Sequence, residues 1–254
     1  MVTTEIRGRI AIVSLDRAEK RNAFNPELVQ GLKHEVEELN SNDTIRAIVI
    51  KGNGTAFSAG ADLDYIQQLR SNTKEKNVQD SSALAQMFEA IYSSPKITVS
   101  AVDGYALAGG CGLAMVTDFC YASSNAQFGF TEVKIGFIPA IVMVYLLNKM
   151  SPQNVRELLL TAEIISAQRA EELGMITELI DGDFYKEVIQ RVESLISKTS
   201  GQAIELTKEM LRTVPGMEHA AALEYAAEQN AKARSTEDCI KGMDAFLSKN
   251  KISW

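Results

Sequence analysis

Short apolar runs alternate with helix-like segments along the first two-thirds of the chain, and this alternation constrains the fold more than any other feature. The runs at 45–50 (IRAIVI) and 97–102 (ITVSAV) are almost wholly apolar, which is typical of strands buried on both faces of a sheet. A helix-like segment follows each of them, and a third strand-like run lies at 118–123 (DFCYAS). Because parallel neighbours need crossover connections, the pattern predicts an α/β domain with parallel strands.

The two ends of the chain depart from this alternation. The first fifteen residues carry two β-branched runs around a glycine and predict a hairpin, and 184–249 predicts three or four helices. We therefore expect an α/β core domain over residues 1–195 and a helical C-terminal region over 196–254. Residues 70–82 are polar throughout, so they form either a mobile loop or the start of the next helix, and the sequence leaves open whether they act as a lid. No internal repeat is visible.

Composition and charge exclude several classes of protein. The formal net charge is −7 and no segment is strongly basic, so the electrostatic signature of a nucleic-acid-binding protein is missing. Three scattered cysteines fit neither a disulfide framework nor a zinc site, and two histidines are too few for a multi-histidine metal centre. The sequence shows no apolar run long enough for a membrane helix and no secretory signal. We expect a cytoplasmic protein without a metal, nucleic-acid or membrane partner.

Two turns rich in glycine and alanine each follow a predicted strand and precede a predicted helix, at 58–62 (SAGAD) and 108–112 (AGGCG). The first N–H groups of a helix have no intrahelical acceptor, and the helix dipole favours negative charge there. Two such groups directed at one oxygen would form an oxyanion hole. For either turn alone, the favoured alternative is that the glycines only permit a tight turn or close packing. Met115 stands where a dinucleotide-binding fingerprint needs its third glycine, so that class of site is excluded.

Glu132 is the main candidate for an acid or base. It lies in QFGFTEVKIGFIP, where apolar neighbours would remove water from its carboxyl group and raise its pKa toward the working pH. The alternative, which the pattern alone favours, is a surface glutamate whose stem covers the edge of the core. The apolar neighbours are Phe128, Phe130, Val133, Ile135 and Phe137.

Together these segments resemble the enoyl-CoA hydratase/isomerase family, also called the crotonase family. The resemblance covers nearly the whole chain. It begins with IAIVSLDRAEKRNAFN, continues through AFSAGADL and AVDGYALAGGCGLAMVTDFCYASSNAQFGFTEVKIGFIP, and ends with STEDCIKGMDAFLSKNKISW. It implies the crotonase fold, an α/β fold of repeated ββα units with a helical C-terminal trimerisation region. It also implies a homotrimer, or a homohexamer made of two trimers.

The resemblance further implies the chemistry and the site residues. Members of the family stabilise a thioester enolate with two backbone N–H groups, which match those of Ala61 and Gly109, while Glu132 matches a catalytic glutamate. CoA arrives as part of the acyl-CoA substrate, so no separate cofactor is implied. Two of the implied acyl-CoA contacts, Phe246 and Lys249, match C-terminal residues that touch the CoA of an adjacent subunit in some members. The implied contacts are Arg21, Ala23, Ala59, Asp62, Leu63, Leu107, Gly110, Thr131, Pro139, Phe246 and Lys249.

Two departures from the family pattern bear on the reaction. Typical hydratases carry another catalytic glutamate at the position of Gly112, and a glycine-rich stretch where this chain has AIVM after Pro139. We predict a hydratase-type lyase that adds water to, or removes it from, a 2-enoyl-CoA thioester. Similarity around Gly112 and TEVKIGFIPAIVMVYLL points to 3-methylglutaconyl-CoA as substrate. The alternatives are a Δ3-Δ2 enoyl-CoA isomerase or an acyl-CoA decarboxylase that uses the single glutamate, and an acyl-CoA-binding member with weak or no catalysis.

Overall fold

A computed structural model describes residues 1–254, whose ten strands form two sheets. In the larger sheet the first two strands are antiparallel and all later neighbours are parallel. In the smaller sheet the first three strands are parallel and the fourth is antiparallel. In spatial order the larger sheet contains β1 (Val2–Arg7), β2 (Ile10–Leu15), β3 (Ala47–Gly52), β5 (Ile97–Val102), β7 (Phe119–Ser123) and β10 (Glu178–Ile180), and the smaller sheet contains β4 (Ala56–Ser58), β6 (Tyr105–Leu107), β8 (Gln127–Gly129) and β9 (Ile165–Ser166).

Eleven α-helices connect the strands or cover the sheets, and none of them combines the length and apolar character that crossing a membrane requires. The first seven are α1 (Pro26–Asn40), α2 (Leu63–Leu69), α3 (Lys74–Tyr92), α4 (Gly109–Val116), α5 (Ala140–Lys149), α6 (Pro152–Thr161) and α7 (Ala167–Glu172). The C-terminal four are α8 (Phe184–Lys198), α9 (Gly201–Thr213), α10 (His219–Arg234) and α11 (Glu237–Leu247).

A strand–strand–helix order occurs three times along the chain. The units begin with β3–β4–α2 and β5–β6–α4, and in the third unit β7 and β8 lead through a 3₁₀ turn at Glu132–Ile135 to α5. In each unit the first strand joins the larger sheet and the second joins the smaller one. Since β4, β6 and β8 are parallel neighbours, their carboxyl ends lie side by side at one edge of the smaller sheet. This edge carries both glycine-rich turns and Glu132.

Several sequence predictions are confirmed, one boundary is wrong, and one of the two alternatives for 70–82 holds for most of that segment. The N-terminal hairpin, the α/β alternation and the helical C-terminal segment are present. The strand predicted at 45–50 instead runs from Ala47 to Gly52. Its parallel neighbour β2, the second strand of the hairpin, pairs with it only from Ala47 onward. Residues 74–82 are helical, since the hydroxyl of Thr73 caps α3 and the hydroxyl of Tyr65 on α2 bonds to Asp80 on α3.

Two apolar clusters cover the two faces of the larger sheet. Alternate strand residues face opposite sides, so that Val13 belongs to the cluster under α1 and α3, whereas Ile12 belongs to the cluster under α8. The helix α8 fits this second face because its buried residues, among them Val188 and Val192, recur at intervals of four. The two clusters thus hold helices against both faces of the larger sheet.

Helix α9 is attached to the core through the buried Lys208. Its ammonium group donates to the carbonyl oxygen of Lys96 at 2.6 Å and pairs with the carboxylate of Asp118. Asp118 also accepts hydrogen bonds from the N–H and hydroxyl groups of Thr98, at 2.8 and 2.9 Å. By contrast, α10 and α11 bury no residue within the single chain.

Candidate active site

The two glycine-rich turns contact each other at the edge of the smaller sheet. Gly60 adopts φ +84°, and a Cβ atom on it would lie 2.8 Å from the carbonyl oxygen of Leu107 and 2.9 Å from Cβ of Ala108. The same point is only 3.5 Å from the backbone nitrogen of Gly109. A side chain at position 60 would therefore separate the turn that carries Ala61 from the turn that carries Gly109.

The backbone leaves the N–H groups of Ala61 and Gly109 available for a ligand. Phe24 donates its N–H to the carbonyl of Gly60 at 2.6 Å and accepts a bond from the N–H of Asp62 at 2.9 Å. In a parallel bridge the residue between these two groups, Ala61, directs its own N–H to the opposite side. Gly109 is the first residue of α4, so its N–H has no intrahelical acceptor. Neither group donates to another part of the chain.

Ala108 holds the start of α4 in an unusual conformation. Its φ of 47° and ψ of −123° lie in a region that a residue with a Cβ rarely adopts, at a cost of about 1–3 kcal/mol. Its N–H donates to the carbonyl oxygen of Gly129 at 2.7 Å, which ties the turn to β8. On the other side, a Cβ on Gly110 would lie 2.5 Å from the carbonyl oxygen of Ser58. The turn is thus held between β4 and β8.

An ion pair that the sequence analysis missed fixes the first turn. Asp62 caps α2 by accepting from the N–H groups of Asp64 and Tyr65, and its second oxygen pairs with the guanidinium of Arg17. The same guanidinium donates to the carbonyl of Ala23 at 3.0 Å. Burial alone would raise the pKa of Asp62, but these hydrogen bonds and the Arg17 charge lower it. The only sequence signal was an arginine just after β2, within the DRAEKRNAF segment.

Glu132 is the first residue of the 3₁₀ turn after β8 and is partly buried. Burial raises the pKa of its carboxyl group, and its Oε2 atom is inaccessible to solvent and makes no hydrogen bond. Burial raises the pKa of the Cys111 thiol on α4, and the charge of Glu132 adds a smaller contribution in the same direction. The thiol stays neutral because burial is the main cause of that shift, so Cys111 is not a candidate nucleophile.

The predicted desolvation of Glu132 is confirmed, but its predicted source is partly wrong. Phe128 and Phe130 are buried beside it in the core. Val133, Ile135 and Phe137 are instead 38%, 66% and 47% exposed, because the 3₁₀ turn and the residues after it lie at the surface.

The remaining predicted contacts fall into two groups. Ala59 donates its N–H to the carbonyl of Arg21 at 2.9 Å, so the first turn and the Arg21–Phe24 segment lie together. The others lie at the ends of β2, β4, β6 and β8, either on the turns that follow these strands or on the adjoining residues of β6, α2, α4 and the segment before α5; they are Ala23, Asp62, Leu63, Leu107, Gly110, Thr131 and Pro139. Phe246 and Lys249, in contrast, lie at the end of α11, which packs on α9 and α10, and Phe246 is 84% exposed. No cluster of three His, Cys, Asp or Glu side chains could hold a metal ion.

Known proteins share both this sequence and this arrangement. The model of the family described as enoyl-CoA hydratase/isomerase matches residues 5–254. The chain belongs to the enoyl-CoA hydratase/isomerase family. A Thermus thermophilus protein, provisionally named an enoyl-CoA hydratase, is 36% identical over 249 residues, which is 98% of each chain. The 2,3-dehydroadipyl-CoA hydratase of Escherichia coli is 29% identical and covers 95% of this chain and 93% of its own.

The structural comparison confirms the crotonase fold. The crystal structure of an enoyl-CoA hydratase from Shewanella pealeana superposes with a TM-score of 0.94 at 30% identity, over 100% of this chain and 95% of that chain. The protein is therefore an enzyme of the crotonase family, with mixed sheets and a helical C-terminal part.

In this protein, the space that a side chain at position 112 would enter is already filled. A Cβ atom on Gly112 would lie 2.1 Å from Cγ1 of Val142 and 3.4 Å from the ring of Phe88. Val142 is the third residue of α5 and is buried. Val142, from the AIVM stretch that replaces a glycine-rich one, therefore occupies the volume into which a glutamate at position 112 would extend.

Glu132→Gln should stabilise the folded protein at neutral pH. Because the folded state raises the pKa of Glu132, ionisation of this carboxyl destabilises the fold as pH rises from the unfolded value of about 4.3 through the raised value. Below about pH 4 both states bind the proton, so the difference disappears. Melting temperatures of the wild type and the variant between pH 3.5 and 8 measure this pH-dependent difference in stability. The exposed Glu205→Gln is the control, and a pH-independent difference at position 132 would contradict the assignment.

Gly112→Ala should destabilise the protein by about 1–3 kcal/mol, because its methyl group overlaps Val142. The double variant Gly112→Ala/Val142→Ala should be more stable than the sum of the single effects predicts. Urea unfolding gives these free energies. The matched control is Gly31→Ala in α1, whose methyl group would meet only an ordinary contact at 3.6 Å and should stabilise the helix. Additive effects at 112 and 142 would show that the two positions do not compete for one space.

Proposed function

We propose that the protein hydrates a 2-enoyl-CoA thioester or dehydrates the corresponding 3-hydroxyacyl-CoA. The observation that carries this proposal is the shared edge of β4, β6 and β8, where two unpaired N–H groups and a desolvated carboxylate meet. The N–H groups of Ala61 and Gly109 bind the thioester oxygen and stabilise the negative charge that the enolate gains. Glu132 is the acid and base. CoA belongs to the substrate, and no other cofactor takes part.

One carboxylate can serve both halves of this reaction. Glu132 removes a proton from water while the water oxygen adds to C3, and the electrons of the double bond move through C2 onto the thioester oxygen. The enolate then collapses, and C2 takes the same proton back from Glu132. The raised pKa of Glu132 suits both steps, because it strengthens the base and keeps the proton available near neutral pH.

The substrate that we propose is 3-methylglutaconyl-CoA. The support is the likeness of Gly112 and the TEVKIGFIPAIVMVYLL stretch to methylglutaconyl-CoA hydratases. The names of two relatives, the crotonyl-CoA hydratase of Syntrophomonas wolfei at 28% identity and the Escherichia coli 2,3-dehydroadipyl-CoA hydratase, support hydration of a 2-enoyl-CoA in general.

Isomerisation is the second candidate, and the packing at Gly112 favours it. Since Val142 fills the space beside Gly112, no second carboxylate holds the water from that side. A single base can move a proton from C2 of a 3-enoyl-CoA to C4 through the same enolate. Decarboxylation of a carboxylated acyl thioester would also pass through that enolate, with a proton delivered to C2. A protein that binds acyl-CoA without turnover is the remaining alternative.

Absorbance of the conjugated enoyl thioester distinguishes these reactions. With crotonyl-CoA or 3-methylglutaconyl-CoA the band should decay in the wild type, and Glu132→Gln should lower kcat by about 10²–10⁴-fold while thioester binding persists. A band that rises with 3-hexenoyl-CoA, and does not decay with 2-enoyl thioesters, would establish the isomerase instead. If the absorbance changes with none of these thioesters, but the thioesters raise the melting temperature, the protein binds acyl-CoA without turning it over.

We further propose that the chain assembles as a homotrimer, or as a hexamer of two trimers, through the 196–254 region. Helices α10 and α11 bury nothing within one chain and leave large apolar side chains in solvent, which is typical of a surface that another subunit covers. The adjacent subunit would then bring Phe246 and Lys249 to the CoA. The large apolar side chains that are exposed in the 196–254 region are those of Leu211 on α9 and of Leu223, Ile240, Met243, Phe246 and Leu247 on α10 and α11.

Leu247→Asp should shift the protein toward smaller species and lower its activity, because a charge would enter the subunit interface. Size-exclusion chromatography with light scattering gives the mass, starting from a trimer or hexamer in the wild type. Ile6→Asp, at an exposed position of β1, is the control that should keep the wild-type mass. A wild-type monomer, or equal masses for Leu247→Asp and wild type, would contradict this interface.

A further inference from the structure

The segment 22–24, in the loop between β2 and α1, lies against both turns of the proposed oxyanion hole. The backbone of Phe24 makes the two hydrogen bonds that flank Ala61. The ring of Phe24 lies against the start of α4, since a Cβ atom on Gly109 would be 3.2 Å from Cε2 and 3.3 Å from Cδ2 of that ring. One buried residue thus limits where both N–H donors can lie.

The side chain of Asn22 anchors this segment. Asn22 is fully buried, and its amide oxygen accepts a hydrogen bond from the N–H of Arg17 at 2.9 Å. Its amide nitrogen donates to the carbonyl oxygens of Asn53 at 2.9 Å and of Ala56 at 2.8 Å. Both amide hydrogens are therefore used. The side chain joins the loop after β2 to the loop between β3 and β4 and to the first residue of β4.

The main chain of Asn22 extends the same network toward the first turn. Its φ of 53° lies in the left-handed region, which asparagine adopts more readily than most residues. Its carbonyl oxygen accepts from the hydroxyl of Ser58 at 2.8 Å, and that hydroxyl oxygen accepts the N–H of Gly60 at 3.3 Å. Two successive hydrogen bonds therefore connect Asn22 to the residue before Ala61.

Loss of the Asn22 amide would leave three backbone groups without a partner, at least partly inside the protein. Each such group costs free energy until water or another polar group reaches it, so the loops around position 22 would shift. Phe24 would move with them and would carry the N–H of Ala61 out of line with that of Gly109. A displacement of about 1 Å at an active site lowers a rate by up to about 10²-fold.

We infer that Asn22 is a positioning residue, which sets the separation of the Ala61 and Gly109 N–H groups through Phe24. The inference rests on the proposed function, because it takes these two groups as the donors to the thioester oxygen. Main-chain groups use both hydrogens and the oxygen of the amide, so Asn22 acts through Phe24 and not on the substrate.

Asn22→Gly tests the inference, because glycine keeps the left-handed backbone and removes only the amide. With the enoyl thioester that the wild type turns over, kcat should fall about 10- to 10²-fold while KM changes less than about threefold. The split is expected because the two donors bind the enolate oxygen more strongly than the uncharged thioester oxygen.

Asn40→Ala is the matched control. The Asn40 amide donates to the carbonyl of Ala90 at 3.2 Å and accepts from the hydroxyl of Ser94 at 2.6 Å. It thus joins the end of α1 to the end of α3 and has no contact with the segment 22–24. Its loss should lower the melting temperature, as the loss of Asn22 does, but should leave kcat at the wild-type value.

The infrared band of a bound thioester carbonyl reports on the two donors without any turnover. Butyryl-CoA labelled with ¹³C at the thioester carbonyl should absorb at lower wavenumber on the wild type than in water, since two fixed donors polarise the C=O bond. The lowering should be smaller on Asn22→Gly and unchanged on Asn40→Ala. A smaller lowering shows misplaced donors, which a loss of stability alone does not produce.

Asn22→Asp is a second variant that replaces the amide with a group of nearly the same shape. The ionised carboxylate faces the carbonyls of Asn53 and Ala56 and repels them, whereas the protonated form donates to one of them. The band of bound butyryl-CoA on this variant should therefore approach the wild-type band, measured at the same pH, as the pH falls from about 8 to about 5.5.

The inference is overturned if folded Asn22→Gly keeps the wild-type kcat and the wild-type band, or if Asn40→Ala changes both as much. If no enoyl thioester is turned over, but the band is lowered on the wild type and less so on Asn22→Gly, the proposed reaction fails and the inference stands. If turnover proceeds and the bands on the wild type and Asn22→Gly coincide, the inference alone fails.

Discussion

The close approach of two backbone turns is the constraint on which the rest of this site depends. Two amide N–H groups can stabilise one oxygen only if no side chain stands between them, and Gly60 meets that condition against Leu107 and Ala108. The parallel pairing of β4 with β6 sets the distance, and Phe24 fixes the first turn through bonds on both sides of Ala61. The strained backbone of Ala108 is held by its bond to β8. Each of the three ββα units thus contributes one part of the site.

In the proposed reaction a single carboxylate, that of Glu132, supplies all the proton transfers at this edge. The packing of Val142 over Gly112 explains why it is alone, because the side-chain volume at 112 is already filled. Burial removes water around Glu132, whose Oε2 atom has no hydrogen-bond partner. Desolvation destabilises the ionised carboxylate but makes it a stronger base, so the protein trades folding stability for reactivity at this position.

The sequence indicated the two turns and the carboxyl group at this edge, but it did not indicate the smaller sheet that carries them. The turns at 58–62 and 108–112 and the candidate Glu132 could be found because glycine and an isolated carboxylate among apolar residues are local signals. The strands β4, β6 and β8 were missed, since three residues are too few to show a period of two. Contacts between distant segments, such as Val142 on Gly112, leave no local pattern either. The structural repeat was invisible because its units share an order of elements and not a sequence.

The position of helix α4 depends on its contacts with helix α5. Its first residue, Gly109, supplies an N–H group, and α5 holds it through Val142 at its middle and Lys149 at its end. The ammonium of Lys149 donates to the carbonyls of Met115 and Thr117 at 3.0 and 2.6 Å. Because these contacts hold α4 from its middle to its end, the position of the Gly109 N–H depends on α5 as well as on the turn that precedes α4.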